Sequence, residues 1–115
     1  MEKIGGNIDC VLMYERVTKT PTGEQVKEWV ELRTLTGFKD LMSNGKDYTT
    51  YNKAMSESTH IFVCDYVSIV LPTTGKKAKA TELKATIDGE KYDVQYIDDP
   101  MGLHYHLEIF LKQVA

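Results

Sequence analysis

Residues 83–111 read LKATIDGEKYDVQYIDDPMGLHYHLEIFL, and this stretch decides the fold. Leu83–Ile87 runs into Asp88-Gly89, the strongest short hairpin signal, because both turn positions must take positive φ and Asp and Gly tolerate it. Lys91–Ile97 then returns as the partner strand. Asp98-Asp99-Pro100-Met101-Gly102 supplies a second turn. Beyond it Leu103, Tyr105, Leu107, Ile109 and Leu111 share one parity, the period of a half-buried strand.

Working back from there, Ile8, Cys10, Leu12 and Tyr14 alternate in the same way over Ile8–Val17, and the strand ends at Thr-Lys-Thr-Pro-Thr-Gly, where Pro21 and Gly23 give turn geometry. A second strand spans Gln25 to Phe38. It changes face midway, since Val26, Val30 and Leu32 share one parity and Trp29 and Leu35 the other, so a bulge or bend is expected near Trp29. A third, Thr59–Leu71, is apolar almost throughout, as a central strand covered on both sides or one touching a neighbouring chain would be. The expectation is an all-β fold: a small closed barrel or sandwich of about six strands, since closure removes vulnerable edges.

Two segments break the rhythm. Gly37–Ser58 carries Ser43-Asn44-Gly45 and then spaces Tyr48, Tyr51 and Met55 three and four apart, which reads as a loop followed by one short helix that needs outside packing. Pro72–Thr81, with Lys76, Lys77 and Lys79, has no buried-face periodicity and reads as an exposed loop.

At 115 residues the chain is one domain, 1–115, with 42% apolar residues to build its core. Seventeen acids against fourteen bases give a net charge of −3, which excludes the basic profile of a phosphate-gripping protein. Cys10 and Cys64 sit inside apolar runs and are expected as buried free thiols. No basic leader and no apolar run of about 20 residues occurs, so the chain is expected to be soluble and unsecreted, with no membrane partner.

Few residues suggest chemistry. His104-x-His106-x-Glu108 would project three metal ligands from one strand face, and a small metal-dependent enzyme or metal-binding protein is the reading it supports. The plainer account is the solvated face of an edge strand. Asp98-Asp99 is explained by the turn, because adjacent strand residues face opposite ways. Trp29, Phe62, Tyr66 and Tyr96 would serve a single-strand nucleic-acid-binding barrel as stacking platforms, with the lysine loop as its electrostatic part. No nucleophile–base pairing is suggested, and no cofactor is expected.

Ser58-Thr59-His60-Ile61-Phe62-Val63-Cys64-Asp65-Tyr66, Gly89-x-x-Tyr92-x-Val94 through Ile97-Asp98-Asp99-Pro100, and Leu107-Glu108-Ile109 together resemble the head closure proteins of tailed bacteriophages, also called head-tail adaptors or stoppers. The resemblance runs over nearly the whole chain. It implies a non-enzymatic virion connector of a phage or prophage: a ring, dodecameric in the virion and a monomer or weak oligomer alone, between the portal/adaptor protein and a tail completion or tail tube protein. Such a ring closes the head, retains packaged double-stranded DNA that passes without specific binding, and offers a platform to the tail. It implies a place at the virion head-tail interface and in the host cytoplasm during assembly.

In that frame Asn44, Gly45, Tyr48, Tyr51 and Met55 are the expected channel gate, with a hinge and apolar contacts that neighbours would bury together. Lys76, Lys77 and Lys79 form the expected docking loop, since copies around a ring would crowd like charge near an axis. Phe62, Asp65 and Tyr66 are the expected subunit contact. Many members of the family carry Arg before the tyrosine of the third strand, where this chain has Asp65.

Overall fold

A computed structural model of the protein describes residues 5–41 and 57–114. Strands β1 (Ile8–Lys19), β2 (Gln25–Leu41), β3 (His60–Asp65), β4 (Leu83–Ile87), β5 (Glu90–Asp98) and β6 (His106–Gln113) are all antiparallel. They close in the order β1-β2-β3-β6-β5-β4, with β4 returning to β1. The only helical pieces among the described residues are single 3₁₀ turns at Ala80–Glu82 and Pro100–Gly102.

Alternation fills the barrel. Cys10 and Leu12 of β1, Leu35 of β2, Phe62 and Cys64 of β3, Leu83, Ala85 and Ile87 of β4, Tyr92 and Val94 of β5, and Leu107, Ile109 and Leu111 of β6 form one buried cluster. Each large side chain withdrawn in this way contributes about 1.5–3 kcal/mol. The β4–β5 turn has Asp88 at φ 51 and Gly89 at φ 80, the doubly positive geometry that an Asp-Gly pair predicts.

Both long strands outrun the barrel. β1 pairs with β4 only over Cys10–Tyr14, and β2 pairs with β3 only over Gly37–Leu41. Glu15–Lys19 and Gln25–Trp29 therefore pair only with each other, as a two-stranded arm extending about 17 Å beyond the shared register. Arg16 and Glu28 form an ion pair across it, with both side chains about half exposed, so the pair contributes little.

The arm end also holds the β3–β4 connection. Ile69–Ala78 folds as a miniature hairpin: Ala78 N–H donates to Ile69 O at 2.9 Å, Leu71 N–H to Lys76 O at 3.0 Å, and Val70 bridges Lys77. Its base side chains Ile69, Leu71 and Ala78 are buried with the core and plug this end of the barrel. The Asp88-Gly89 turn, Leu41, His60 and Gln113 stand at the opposite end.

Several expectations are corrected. β2 continues through Gly37–Leu41, so those residues of the expected 37–58 insertion are strand; the expected helix lies outside the described residues. The bulge is at Leu32, because Leu12 faces Arg33 and Met13 faces Glu31, leaving Leu32 as the extra residue. The third strand stops at Asp65, and its burial alternates, with His60, Phe62 and Cys64 inside and Ile61, Val63 and Asp65 half-buried outside. The lysine loop is exposed at its lysines but anchored by Leu71 and Ala78. Leu103 and Tyr105 precede β6 and are exposed, whereas Phe110, on the opposite parity, is fully buried beneath Tyr96.

Candidate interaction surfaces

The His104-x-His106-x-Glu108 motif does not present one face. Met101, Gly102 and His104 all take positive φ in the turn before β6, so His104 lies outside the strand and breaks the parity. Its backbone N–H donates to Asp99 Oδ1 at 3.0 Å, its Nδ1 lies 2.5 Å from Asp99 Oδ2, and its ring stacks on Tyr66 with centroids 4.4 Å apart. His106 pairs instead with Glu108, Nε2 to Oε2 at 3.2 Å. Among the described residues no group of three or more His, Cys, Asp and Glu side chains converges as metal ligands would. Asp99 thus serves the turn, while Asp98 ends β5 beside Glu108. Partial burial, then the charges of Glu108 and Asp99, push the Asp98 carboxyl above its ordinary value.

The four aromatics considered as stacking platforms are dispersed. Phe62 is inside the barrel, Tyr96 covers Phe110, Tyr66 lies under His104, and Trp29 is at the base of the arm with Lys84 Nζ 4.7 Å from its ring centroid. They make no common track for bases.

Phe62 is also corrected as a subunit-contact residue, because it is fully buried in the core. Alternation gives the outward face of β3 to Ile61, Val63 and Asp65. Tyr66 is half-buried against His104. Lys76, Lys77 and Lys79 are all exposed around the plugging hairpin. The expected gate residues Asn44, Gly45, Tyr48, Tyr51 and Met55 lie outside the described residues. The β-pairing of Leu41 with His60, which brackets them, is at the end of the barrel opposite the lysine hairpin.

The arm is the feature sequence reasoning missed. Its signal is the length of unbroken strand on both sides of the Thr20–Glu24 turn, with Val17 and Val26 exposed among charged neighbours.

Cys10 and Cys64 are buried free thiols. Burial pushes Cys10 up to about 12, with the nearby Cys64 adding to it, and burial pushes Cys64 up to about 11, with Asp65 adding to it. Such thiols are poor nucleophiles.

The geometry is that of a small closed antiparallel barrel with a two-stranded arm and an exposed lysine hairpin at one end. The chain belongs to the phage head completion protein family, whose model matches residues 10–114. It is therefore a structural component of a phage-type virion, working in the head-tail connector. A chain in a solved structure described as the virion of a native gene transfer agent particle is similar in fold, with a TM-score of 0.50 and 12% identity over 94% of each chain. No curated protein matches the sequence significantly. Among the described residues no helix is long and apolar enough to cross a membrane.

Proposed function

We propose that the protein forms a ring, dodecameric in the virion, between the portal/adaptor and a tail completion or tail tube protein, and that this ring closes the filled head, retains the DNA and receives the tail. It works without catalysis at the head-tail interface and assembles in the host cytoplasm. The observation that carries this reading is the family match over residues 10–114, which covers β2 to β6 whole and all but the first two residues of β1, so the role belongs to the barrel as a whole. Net charge supports it: a chain at −3 lets double-stranded DNA pass without gripping its phosphates.

The two ends of the barrel divide the labour. The Leu41–His60 end carries the gate, with Asn44 and Gly45 as hinge and Tyr48, Tyr51 and Met55 as the contacts that neighbours bury together. The opposite end presents Lys76, Lys77 and Lys79 on a hairpin whose buried base holds them rigidly outward, to dock on acidic surfaces of the adaptor or tail. Heads assembled without the protein, then challenged with nuclease and offered purified tails, test the reading. DNA is expected to be lost and tails not to attach, and both return when the protein is added back. Heads that keep their DNA and accept tails without it overturn the proposal.

A further inference from the structure

The closed strand order sets the β1/β4 seam across the barrel from the β3/β6 seam. On the first, cross-strand pairing places Met13 beside Lys84, Val11 beside Thr86, and Thr86 beside Lys91 on the outward face. Met13, Trp29, Lys84, Thr86 and Lys91 line one shallow, mainly apolar groove there. Trp29 is 37% exposed, large for an indole that no core needs. Glu31 and Asp93 flank the groove on the same row, so its rim is mixed and its lysines stand over the apolar floor.

The opposite seam has the complementary character. One outward row runs Phe38, Val63, Glu108, Asp98 across β2, β3, β6 and β5, and the next pairs Asp65 with His106. Phe38 is 49% exposed at the end of this row. Partial burial, and after it the nearby charges of Glu108 and Asp99, raise the Asp98 carboxyl on this face.

We infer that the Trp29–Lys84–Lys91 face of one copy seats on the Phe38–Val63–Glu108 face of the next, a head-to-tail contact with aromatic and aliphatic groups at its centre and lysine–carboxylate pairs at its rim. The second copy is the occupant because the groove sets lysines over an apolar floor, while the rows of the other face carry carboxylates beside Phe38 and Val63 and no lysine. Opposed seams also give every subunit one neighbour on each side, the arrangement that rings require and two-fold dimers do not. Rim charges of this kind set register and exclude like faces more than they hold the contact, while the apolar centre supplies the affinity. Both barrel ends stay uncovered. The inference rests on the ring reading above and supplies its lateral contact.

Equal amounts of ¹⁴N- and ¹⁵N-labelled full-length protein, mixed, concentrated and coupled with a carbodiimide that joins amines directly to carboxylates, test it by mass spectrometry. Mixed-isotope links from Lys84 or Lys91 to Asp98 or Glu108 are expected. Oligomers whose mixed-isotope links fall elsewhere overturn this contact and leave the ring standing. The absence of any mixed-isotope link, in concentrated protein and in particles assembled from the mixture, overturns both. Charge reversal checks the result independently. K84E/K91E and F38K/E108K chains, each with a wild-type circular dichroism spectrum, should self-associate at least about tenfold more weakly. Mixed together they should associate again, because the unaltered Trp29–Lys84–Lys91 face of the second variant meets the unaltered Phe38–Val63–Glu108 face of the first, and a mixture that associates no better than either variant alone overturns the contact. Unaltered assembly of either double variant overturns the contact.

Discussion

A Cβ added to Gly37 would lie 2.1 Å from the carbonyl oxygen of Val63 on the neighbouring strand, and 3.0 Å from the Cys64 side chain. The oxygen belongs to backbone that is paired on both sides, to β2 and to β6, so it cannot retreat. Gly37 itself has no positive φ; glycine is needed there for space alone. Replacement by alanine is expected to destabilise the barrel by about 3 kcal/mol, the upper range for overpacking. Gly23 makes a useful comparison, because nothing lies within 4 Å of its hypothetical Cβ and only its φ of +90 opposes a side chain. Gly23→Ala should cost about 1 kcal/mol. Urea unfolding of both variants checks the order, and equal losses would mean the close approach is not what demands glycine at 37.

The positions that sequence made legible are those where one face is buried against the core. Cys10 and Leu12 on β1, and Leu107, Ile109 and Leu111 on β6, fall on the expected parity, and Asp88-Gly89 marks its own turn. What was illegible depends on contacts between strands. The bulge at Leu32 is fixed by register against Leu12 and Met13, which a single strand's pattern cannot locate. Val67–Leu71 is as apolar as a strand because Ile69 and Leu71 plug the barrel end, a burial that needs no ladder. His104 left the His-x-His-x-Glu face because Asp99 captures both its backbone N–H and its ring, turning the chain through positive φ. Phe110 is buried on the outward side, so alternation alone misplaces it.

The plugging hairpin separates stability from docking within ten residues. Ile69→Ala or Leu71→Ala, each leaving a cavity at the arm end, should cost about 2–4 kcal/mol. Replacing Lys76, Lys77 and Lys79 together by serine should change stability by no more than about 0.5 kcal/mol per site, as exposed substitutions do. Thermal unfolding measures both. If the lysines dock the tail, the triple variant should fill heads normally but attach tails poorly, and normal tail attachment by it would remove the lysines from that role.

The thiols give the barrel an alkaline weakness. Cys10 and Cys64 are held near 12 and 11 in the fold, against an ordinary value of about 9. Both folded values are raised, so the stability from keeping these groups protonated is complete below about pH 9 and is lost as pH climbs through the folded values. Between about pH 9 and 11 each thiol contributes a slope of at most about 1.4 kcal/mol per pH unit. A Cys10→Ala/Cys64→Ala chain should be less stable at pH 7 because it loses packing, yet its stability should fall less steeply with alkali. Unfolding free energies at pH 7.5, 9 and 10.5 decide it, and parallel curves would show that the thiols do not titrate on unfolding. An aromatic thiol reagent at pH 8 should react with neither cysteine until denaturant is added.

Asp98 acts with the same sign in a lower pH range. Its folded carboxyl is raised by burial and then by Glu108 and Asp99, so its ionisation is harder in the fold than in the unfolded chain and stability falls as pH rises through the carboxyl range. Asp98→Asn should therefore stabilise the monomer at pH 7, by about 0.5 kcal/mol given solvent screening, and make no difference near pH 3. The same change removes a carboxylate from the proposed lateral face, so self-association should weaken while the subunit becomes more stable. Melting curves and sedimentation on one sample separate the two effects; a variant that is destabilised at pH 7 would show that Asp98 has a favourable partner in the fold.

The gate assignment makes the sharpest demand on function. Gly37–Leu41 belongs to β2 and pairs with β3, so a shortening that spares the barrel must begin after Leu41. Replacing residues 42–47 with a Gly-Ser bridge removes Asn44 and Gly45, the proposed hinge, keeps Tyr48, Tyr51 and Met55 in the chain, and spares every buried core residue among the described ones. The barrel should keep its melting temperature within about 2 °C, because every strand and core residue among the described ones is kept. Rings should still form, since neither lateral seam is altered. Heads closed with this variant should leak DNA before tail attachment, measured as nuclease-sensitive genomes in tail-less particles, while heads closed with the lysine triple variant should hold it. If the shortened chain retains DNA as the wild type does and the lysine variant leaks, the gate lies at the arm end, on the hairpin plugged by Ile69 and Leu71, and the division of labour between the two ends is the reverse of the one proposed.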